Sequence, residues 1–307
     1  MSDPMVRLER FEKRYGKIQA VRPLDLQVAR GESFALLGPN GGGKTSVLRA
    51  LVGLHAPTAG RVLVGGVDMA RAPDEAQTRL SFVPQRVSLP GMLTARETLT
   101  LFARLKKAPL DRVAEVLEEF ELNDSADRRT AEFSGGMLQR LGLAVGFLRD
   151  VDLLVLDEPT VNLDPPGILK LHQILHDRKR KGTTIVFSSH LLRNALELAD
   201  RVGVLVEGRM VEPEEAPVFH EAVTRKTTVR VILTHLTDEM IVAAREAGGD
   251  ISGHNGREVK FTALPQRRLH VIRAIEQAGG DVEEFHTDAP DWEALIQEHL
   301  GEMERTR

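Results

Sequence analysis

The sequence contains no cysteine, one tyrosine and one tryptophan among its 307 residues. Disulfides and thiolate metal sites both need cysteine, so neither can form in this chain. No stretch approaches the roughly 18 uninterrupted apolar residues of a transmembrane helix, and we therefore predict no membrane span. Residues 1–16 also lack the apolar core of a signal peptide, which argues against secretion.

The charge of the chain is close to balanced, with 45 acidic and 41 basic residues and a net charge of −4. A strong electrostatic grip on nucleic acid is therefore not expected, and we predict no nucleic-acid partner. The basic run at residues 178–181 precedes Gly182, which is typical of a helix C-terminus, where cations suit the helix dipole and glycine ends the helix.

A glycine-rich segment at residues 38–45 fits the pattern G-x-x-x-x-G-K-[ST] at every fixed position. The apolar run 34–37 before it predicts a buried strand, and the apolar spacing after it predicts a helix. Glycines let backbone N–H groups turn around a phosphate, and the helix N-terminus adds partial positive charge. The predicted nucleotide-binding residues here are Gly38, Pro39, Asn40, Gly41, Gly42, Gly43, Lys44, Thr45 and Ser46.

Two adjacent acids, Asp157 and Glu158, follow a predicted strand at residues 152–156, of which 153–156 form a continuous apolar run. Such a run is typical of a parallel strand that is buried on both faces. Paired acids at its end are costly unless a metal or ligand uses them. Asp157 suits a Mg²⁺ shell together with Thr45, and Glu158 suits an attacking water.

Four further features of the sequence are candidates for ligand binding. Gln85 lies just beyond a predicted strand, where open α/β sheets place ligand groups, and His190 follows another strand in the same way. Ser134 with Gly135 and Gly136 opens a helix, either as a plain capped turn or as a second phosphate-facing N-terminus. Tyr15 could stack on a base, but the residues alone favour an ordinary half-buried strand position.

The coarse organisation is α/β, with an antiparallel edge sheet over residues 5–31 and a helical region over about 87–150. Residues 212–217 are rich in proline and acid and predict a linker. Residues 224–307 read as β-α-β-β-α-β with a final helix at 292–300, which is the order of a ferredoxin-like fold. We therefore expect two domains, 1–220 and 224–307.

Taken in order, Tyr15, the 38–45 loop, Gln85, the 134–139 segment, Glu158 and His190 resemble the ATP-binding cassette of ABC transporters. The resemblance covers roughly residues 5–220. It implies a P-loop NTPase with a RecA-like core sheet, an antiparallel edge sheet and a helical subdomain. It also implies ATP and Mg²⁺ as cofactors, a homodimer of cassettes, and a separately encoded membrane permease that docks on the helical subdomain at the cytoplasmic face.

The same resemblance implies a role for each matching residue. Tyr15 would stack on adenine, which reverses the interpretation from the residues alone. Gln85 would sense Mg²⁺ and the membrane subunit, Asp157 would hold Mg²⁺, Glu158 would be the catalytic carboxylate, His190 the switch histidine, and Asp164 part of the loop that joins two subunits. The signature that caps ATP held by the partner subunit would be Ser134, Gly135, Gly136 and Met137.

Two departures refine the resemblance. Met137 stands where many members have glutamine, and Val161 and Asn162 stand where small residues are usual. Methionine after Ser-Gly-Gly resembles the exporter-type subfamily, and residues 134–148 are especially similar to the ATPase that matures the copper site of nitrous oxide reductase. Two alternatives stay open: an importer ATPase whose C-terminal domain senses substrate, and a soluble cassette ATPase of translation or DNA repair.

Overall fold

The computed structural model describes residues 3–215 and 228–288 of the chain. The chain divides into two units, Met1–Ala216 and Pro217–Arg307. Within the described ranges, no helix combines the length and the apolar character that a membrane crossing requires.

The first unit contains both strands and helices. The strands are β1 (Val6–Tyr15), β2 (Ile18–Val28), β3 (Ser33–Leu37), β4 (Ala59–Val64), β5 (Val67–Asp68), β6 (Leu80–Val83), β7 (Leu153–Leu156), β8 (Thr184–Ser189), β9 (Arg201–Val206) and β10 (Arg209–Glu215). The helices are α1 (Lys44–Leu51), α2 (Pro73–Thr78), α3 (Ala95–Leu105), α4 (Arg112–Glu119), α5 (Gly135–Gly146), α6 (Pro165–Arg180) and α7 (Leu192–Leu198).

The central sheet has the strand order β10-β9-β3-β8-β7-β6. Its neighbours from β9 to β6 pair in parallel, and only β10 is antiparallel to the strand beside it. Every residue of β3 and β7 is buried, as their continuous apolar runs predict. Because β3, β6, β7 and β8 run in one direction, the segments that follow them meet at one edge of the sheet.

A second, antiparallel sheet has the order β2-β1-β4-β5. Its first hairpin is the edge sheet predicted from residues 5–31, with the turn at Gly16, which has a φ of +58°. The core of the unit lies against α1, where Val47, Leu48 and Leu51 are buried. The P-loop helix is thus fixed by apolar packing on the face that its sequence period predicts.

The helices α3, α4 and α5 lie between β6 and β7 in the chain and form the predicted helical region. Thr94 and Glu97 make a complete capping box at the start of α3. One prediction was wrong in detail. The spacing of the apolar residues Leu110, Val113, Leu117 and Phe120 predicts that they share one helix face, but α4 begins at Arg112 and Leu110 is exposed before it.

In the residues that the structure describes, the second unit is an antiparallel sheet with two α-helices. Its elements are β11 (Thr228–Leu233), α8 (Asp238–Glu246), β12 (Asp250–His254), β13 (Glu258–Thr262), α9 (Arg268–Gln277) and β14 (Val282–Asp288). The strand order β12-β13-β11-β14 and its antiparallel pairs are those of a ferredoxin-like fold. Its core centres on Val231, Phe261 and Val271, so this unit has a hydrophobic centre of its own.

Two predicted elements, a linker and a final helix, fall at or beyond the ends of the described ranges. The linker predicted at 212–217 begins too early, because β10 continues to Glu215 and pairs Glu214 with Val202 after an irregularity in register. The pairing continues past Pro213 because β10 is an edge strand, where a residue without an N–H is tolerated. The helix predicted at 292–300 lies outside the described residues.

Candidate functional site

The glycine loop between β3 and α1 is shaped by close backbone contacts. A Cβ on Gly42 would lie 2.5 Å from the carbonyl oxygen of Leu205, and one on Gly43 would lie 2.5 Å from that of Ala20. Gly43 also has a φ of +108°, a left-handed conformation that side chains oppose. These two positions therefore require glycine, and the loop can bend tightly into the N-terminus of α1.

The loop encloses a cavity of about 380 Å³ at the edge of the central sheet. Its lining combines the glycine loop with residues that follow β6 and β7. The lining residues are Ala20, Pro39, Asn40, Gly41, Gly42, Gly43, Lys44, Thr45, Ser46, Gln85 and Glu158. Most of the predicted nucleotide-binding residues, together with Gln85 and Glu158, thus face one space.

Lys44 is buried beneath the loop, with 5 % of its surface exposed. Its Nζ donates to the carbonyl oxygens of Gly38, at 2.5 Å, and Pro39, at 3.1 Å. The same Nζ lies 3.4 Å from Oε1 of Glu158. The ammonium group therefore stands between the backbone of the loop and the carboxylate that follows β7, where it can meet a bound anion.

Asp157 and Thr45 are joined by a hydrogen bond between their side chains. The Thr45 hydroxyl donates to Oδ1 of Asp157 at 3.3 Å, and the Ser188 hydroxyl donates to the same oxygen at 2.7 Å. Among the described residues, no group of three or more acids or histidines is placed to hold a metal alone. One carboxylate and one hydroxyl nevertheless fit Mg²⁺, which keeps several waters and takes substrate phosphates as ligands.

Glu158 is held through both its backbone and its side chain. It has a φ of +49°, in the left-handed region, and its N–H donates to the Ser188 hydroxyl at 2.8 Å. Nδ1 of His190 lies 2.8 Å from its Oε2. Oε1 is buried and has no hydrogen-bond partner, although Lys44 is near. A buried carboxylate oxygen that faces a cavity without a donor can accept a hydrogen bond from a ligand or from water.

The structure does not bring Tyr15 into the lining of this cavity. Its side chain is 40 % exposed, and its hydroxyl forms a 2.6 Å hydrogen bond with Nδ1 of His55. The two rings also meet edge to face at 5.6 Å, and Lys13 Nζ lies 4.9 Å from the tyrosine ring centroid. The adenine-stacking role of Tyr15 therefore stays a prediction.

The predicted signature residues lie at the start of α5. The Ser134 hydroxyl caps the helix by accepting from the N–H of Met137 at 3.3 Å, as predicted. A Cβ on Gly135 would meet no atom within 4 Å, whereas one on Gly136 would lie 2.9 Å from the carbonyl oxygen of Asn162. Gly135 thus faces open space. None of these residues lines the cavity at the glycine loop.

Asp164 precedes α6 and is bound from the signature helix. Nη2 of Arg140 donates to Oδ1 of Asp164 at 2.8 Å, and Nη1 of the same arginine donates to Oε2 of Glu121 at 3.0 Å. The hydrogen bond from Arg140 lowers the pKa of Asp164.

Sequence reasoning missed three residues of this region. Ser188 bridges Asp157 and Glu158, Ala20 lines the cavity, and Arg140 holds Asp164. A signal existed for Ser188, a hydroxyl near the end of a buried strand whose neighbours carry the ligand groups. For Ala20 and Arg140 the sequence offers no comparable signal, because their partners lie far away in the chain.

Comparison with known proteins agrees with this geometry. A family profile described as ABC transporter matches residues 21–161. Among curated proteins, the daunorubicin resistance ATP-binding protein DrrA3 of Streptomyces coeruleorubidus is 31% identical over 314 positions, which cover 100% of this chain and 99% of that protein. DrrA2 of the same organism is 39% identical over 300 positions, covering 93% and 91%.

Among solved structures, the dimeric ATP-binding cassette MJ0796, in a post-hydrolysis state with ADP and Pi, matches with a TM-score of 0.64 and 26% identity. The match covers 69% of this chain and 99% of that one. The strand order, the glycine loop before α1 and the full-length relatives all lead to one conclusion: the chain belongs to the ABC transporter family, as an ATP-binding subunit that hydrolyses ATP.

Proposed function

We propose that the chain drives an exporter and that two copies bind two ATP molecules between them. The observation that carries this proposal is the separation of two helix N-termini in one chain. The glycine loop, Gln85 and Glu158 share one cavity, while Gly135 faces open space outside it. An ATP bound at the glycine loop is then covered by the signature segment, residues 134–137, of a second copy.

In this proposal each residue of the cavity has one task. Lys44 binds the β- and γ-phosphates, with the backbone N–H groups of the glycine loop. Glu158 accepts a hydrogen bond from the attacking water through Oε1, which is buried and has no hydrogen-bond partner. His190 holds the other oxygen of that carboxylate and so fixes its direction.

Thr45 and Asp157 would hold Mg²⁺ through their oxygens, and Gln85 would complete the shell. When bound, the ion neutralises charge that develops on the phosphates. Ser188 keeps Asp157 in place and, through the N–H of Glu158, ties both acids to β8.

Export is supported by the names of the relatives. DrrA3 aligns with this chain from end to end, including the second unit, and is named for drug resistance. The Nod factor export ATP-binding protein I of Paraburkholderia xenovorans (strain LB400) is 38% identical over 71% of this chain and 72% of that protein. These full-length and cassette-length relatives support export over import, while the finer resemblance to nitrous oxide reductase maturation stays a prediction.

The partner in this proposal is a separately encoded permease, with the chain bound to it at the cytoplasmic face of the membrane. Residues 1–220 act as the cassette, and residues 224–307 act as an accessory domain. The second unit has a hydrophobic core of its own, which supports its assignment as a separate domain.

The test of the proposed function is Glu158→Gln. Glutamine keeps the size of the side chain but removes the charge that polarises water. We expect ATP binding to persist and hydrolysis to fall by at least about 100-fold, consistent with the loss of a general base. The variant should then accumulate as an ATP-bound dimer, measured by size-exclusion chromatography with and without ATP.

Glu207→Gln is the matched control, because Glu207 also has a left-handed backbone, with a φ of +49°, but lies exposed in the β9–β10 turn. It should hydrolyse ATP as the unchanged chain does. A Glu158→Gln variant that no longer bound ATP, or that stayed monomeric when saturated with ATP, would contradict the proposal.

A further inference from the structure

The loop between the catalytic carboxylate and α6, residues 159–164, is held by the signature helix at three points. The carbonyl oxygen of Asn162 lies so close to Gly136 that a Cβ there would be 2.9 Å away. Nε2 of Gln139 donates to the carbonyl oxygen of Pro159 at 3.2 Å, and Arg140 donates to Asp164. The first two turns of α5 and this loop therefore form one contact surface.

These three contacts differ in what holds them. Gln139 is 3 % exposed, and its bond to Pro159 lies in the interior. The Arg140 side chain is 21 % exposed, and its two carboxylate partners, Glu121 and Asp164, are each more than half exposed. The contact through Arg140 is thus the outermost of the three, and its partners come from separate parts of the chain.

The bridge formed by Arg140 spans three elements. Glu121 follows α4 with a φ of +56°, Arg140 lies in the second turn of α5, and Asp164 precedes α6. Gly167 leaves the space for this bridge, since a Cβ there would lie 2.7 Å from Oδ1 of Asp164 and 3.2 Å from Nη2 of Arg140. The guanidinium group is planar and can serve both carboxylates at once, which an ammonium group cannot do as well.

We propose that Arg140 is a positioning residue, which fixes the signature segment on the 159–164 loop and so sets the surface presented to the ATP of a second copy. The inference rests on the shared site proposed above. It predicts that loss of Arg140 impairs the ATP bound by the partner's glycine loop, and leaves the ATP bound by its own loop unaffected.

The first measurement is ATP hydrolysis by Arg140→Ala. We expect kcat to fall by about three- to tenfold, since contacting residues in one network couple on this scale. Nucleotide affinity of the separated subunit should stay unchanged, because Arg140 does not line the cavity. Arg140→Lys should retain one of the two carboxylate contacts and give an intermediate rate.

Gly167→Ala breaks the same bridge without changing charge. The added methyl displaces the ends of the Asp164 and Arg140 side chains, while alanine favours the helix over glycine. We expect a melting temperature no lower than that of the unchanged chain, together with a reduced kcat. Arg180→Ala, which removes an exposed arginine paired with Asp177 at the far end of α6, is the control and should leave kcat unchanged.

Mixing experiments separate a role at the partner's site from a role at the residue's own site. Equal amounts of Arg140→Ala and Lys44→Ala form mixed dimers in which one site keeps an intact loop and an intact signature. The mixture should therefore exceed the mean of the two separate rates, approaching about a quarter of wild-type activity plus a quarter of the Arg140→Ala rate.

A mixture that only equals the mean would overturn the inference, as would wild-type rates for both Arg140→Ala and Gly167→Ala. A parallel mixture of Gly135→Asp with Lys44→Ala keeps the two proposals apart. If that mixture recovers and the Arg140→Ala mixture does not, the shared site stands and the role of Arg140 is wrong. If neither mixture recovers activity and the mixed dimers of Gly135→Asp with Lys44→Ala also trap no ATP, the shared site itself fails.

Discussion

The first unit contains two glycine-rich helix N-termini, before α1 and before α5, and they differ in their surroundings. At α1, the loop is pressed against Leu205 and Ala20, Lys44 is buried beneath it, and Glu158 faces it across a cavity of about 380 Å³. At α5, Ser134 caps the helix and Gly135 faces open space. Both ends carry the partial positive charge of a helix N-terminus. At α1, that charge lies next to two buried ionisable side chains, Lys44 and Glu158.

A helix N-terminus alone does not make a site. The end of α1 gains its chemistry from Asp157 and Glu158, which β7 brings to the same edge of the sheet. The end of α5 has a serine cap and open space at Gly135. This helix end is suited to cover an ATP that is bound by the glycine loop of a second copy, in accordance with the proposed dimer.

Among the variants that test this comparison, Lys44→Ala should have the largest effect on ATP binding, because it removes the buried lysine at the N-terminus of α1. The variant loses the cation that meets the phosphates, so ATP affinity should fall by at least about tenfold, since charged hydrogen bonds contribute roughly 1.5–3 kcal/mol. Hydrolysis should become undetectable. Titration with a fluorescent ATP analogue measures the affinity.

Lys181→Ala, an exposed lysine after α6, is the control for loss of one positive charge and should bind ATP normally. Unchanged turnover by Lys44→Ala would contradict the assignment of this cavity as the ATP site.

A smaller effect is expected from Ser188→Ala. This change removes the hydroxyl that contacts both Asp157 and Glu158, and it leaves the glycine loop unchanged. Ser188 is fully buried, and its hydroxyl donates to Asp157 and accepts from the N–H of Glu158. Leaving these groups without a partner should cost about 1–3 kcal/mol of unfolding free energy. We expect kcat to fall about tenfold with little change in KM, because the carboxylate is no longer held in direction.

Ser81→Ala is the matched control. Ser81 is also buried and lies on β6, on the other side of β7, where its hydroxyl donates to the carbonyl oxygen of Gly146 at 2.7 Å. Thermal melts should show a similar loss of stability for both variants, while steady-state kinetics should show a loss of kcat only for Ser188→Ala. Equal kinetic losses would mean that Ser188 acts on the fold and not on the acids.

Much of the fold could be predicted because the deciding signals are local. The continuous apolar runs of β3 and β7, the capping box at Thr94 and the cap at Ser134 each depend on a few neighbouring residues. Strand order and direction also follow the predicted ferredoxin-like pattern in the second unit. The extent of β10 was missed because Pro213 indicates a break, whereas pairing with β9 continues past it.

The contacts that tune the site could not be predicted, because they join residues far apart in the chain. Tyr15 meets His55, and Ser188 meets Asp157 only because β8 lies next to β7. Arg178 was expected in a basic run at a helix C-terminus, and α6 ends there. Arg178 is 8 % exposed and bound to Glu119 at 2.7 Å, a partner that no local pattern indicates.

The most direct test of the shared site mixes equal amounts of Lys44→Ala and Gly135→Asp. Each change should inactivate its own homodimer, the first through the loop and the second through an acid placed against the γ-phosphate. Asp should fit the fold, because a Cβ on Gly135 meets no atom within 4 Å. Gly135→Asn has nearly the same size without the charge, so it should retain more activity than Gly135→Asp and shows whether charge or bulk is responsible.

Random pairing makes half of the dimers mixed, and each mixed dimer has one site with an intact loop and an intact signature. We expect ATPase activity to recover to about a quarter of the wild-type value. Because coupling between the two sites could silence a mixed dimer, ATP trapping is measured on the same sample. A mixture that neither hydrolyses nor traps ATP would contradict the claim that two copies of this chain share each ATP.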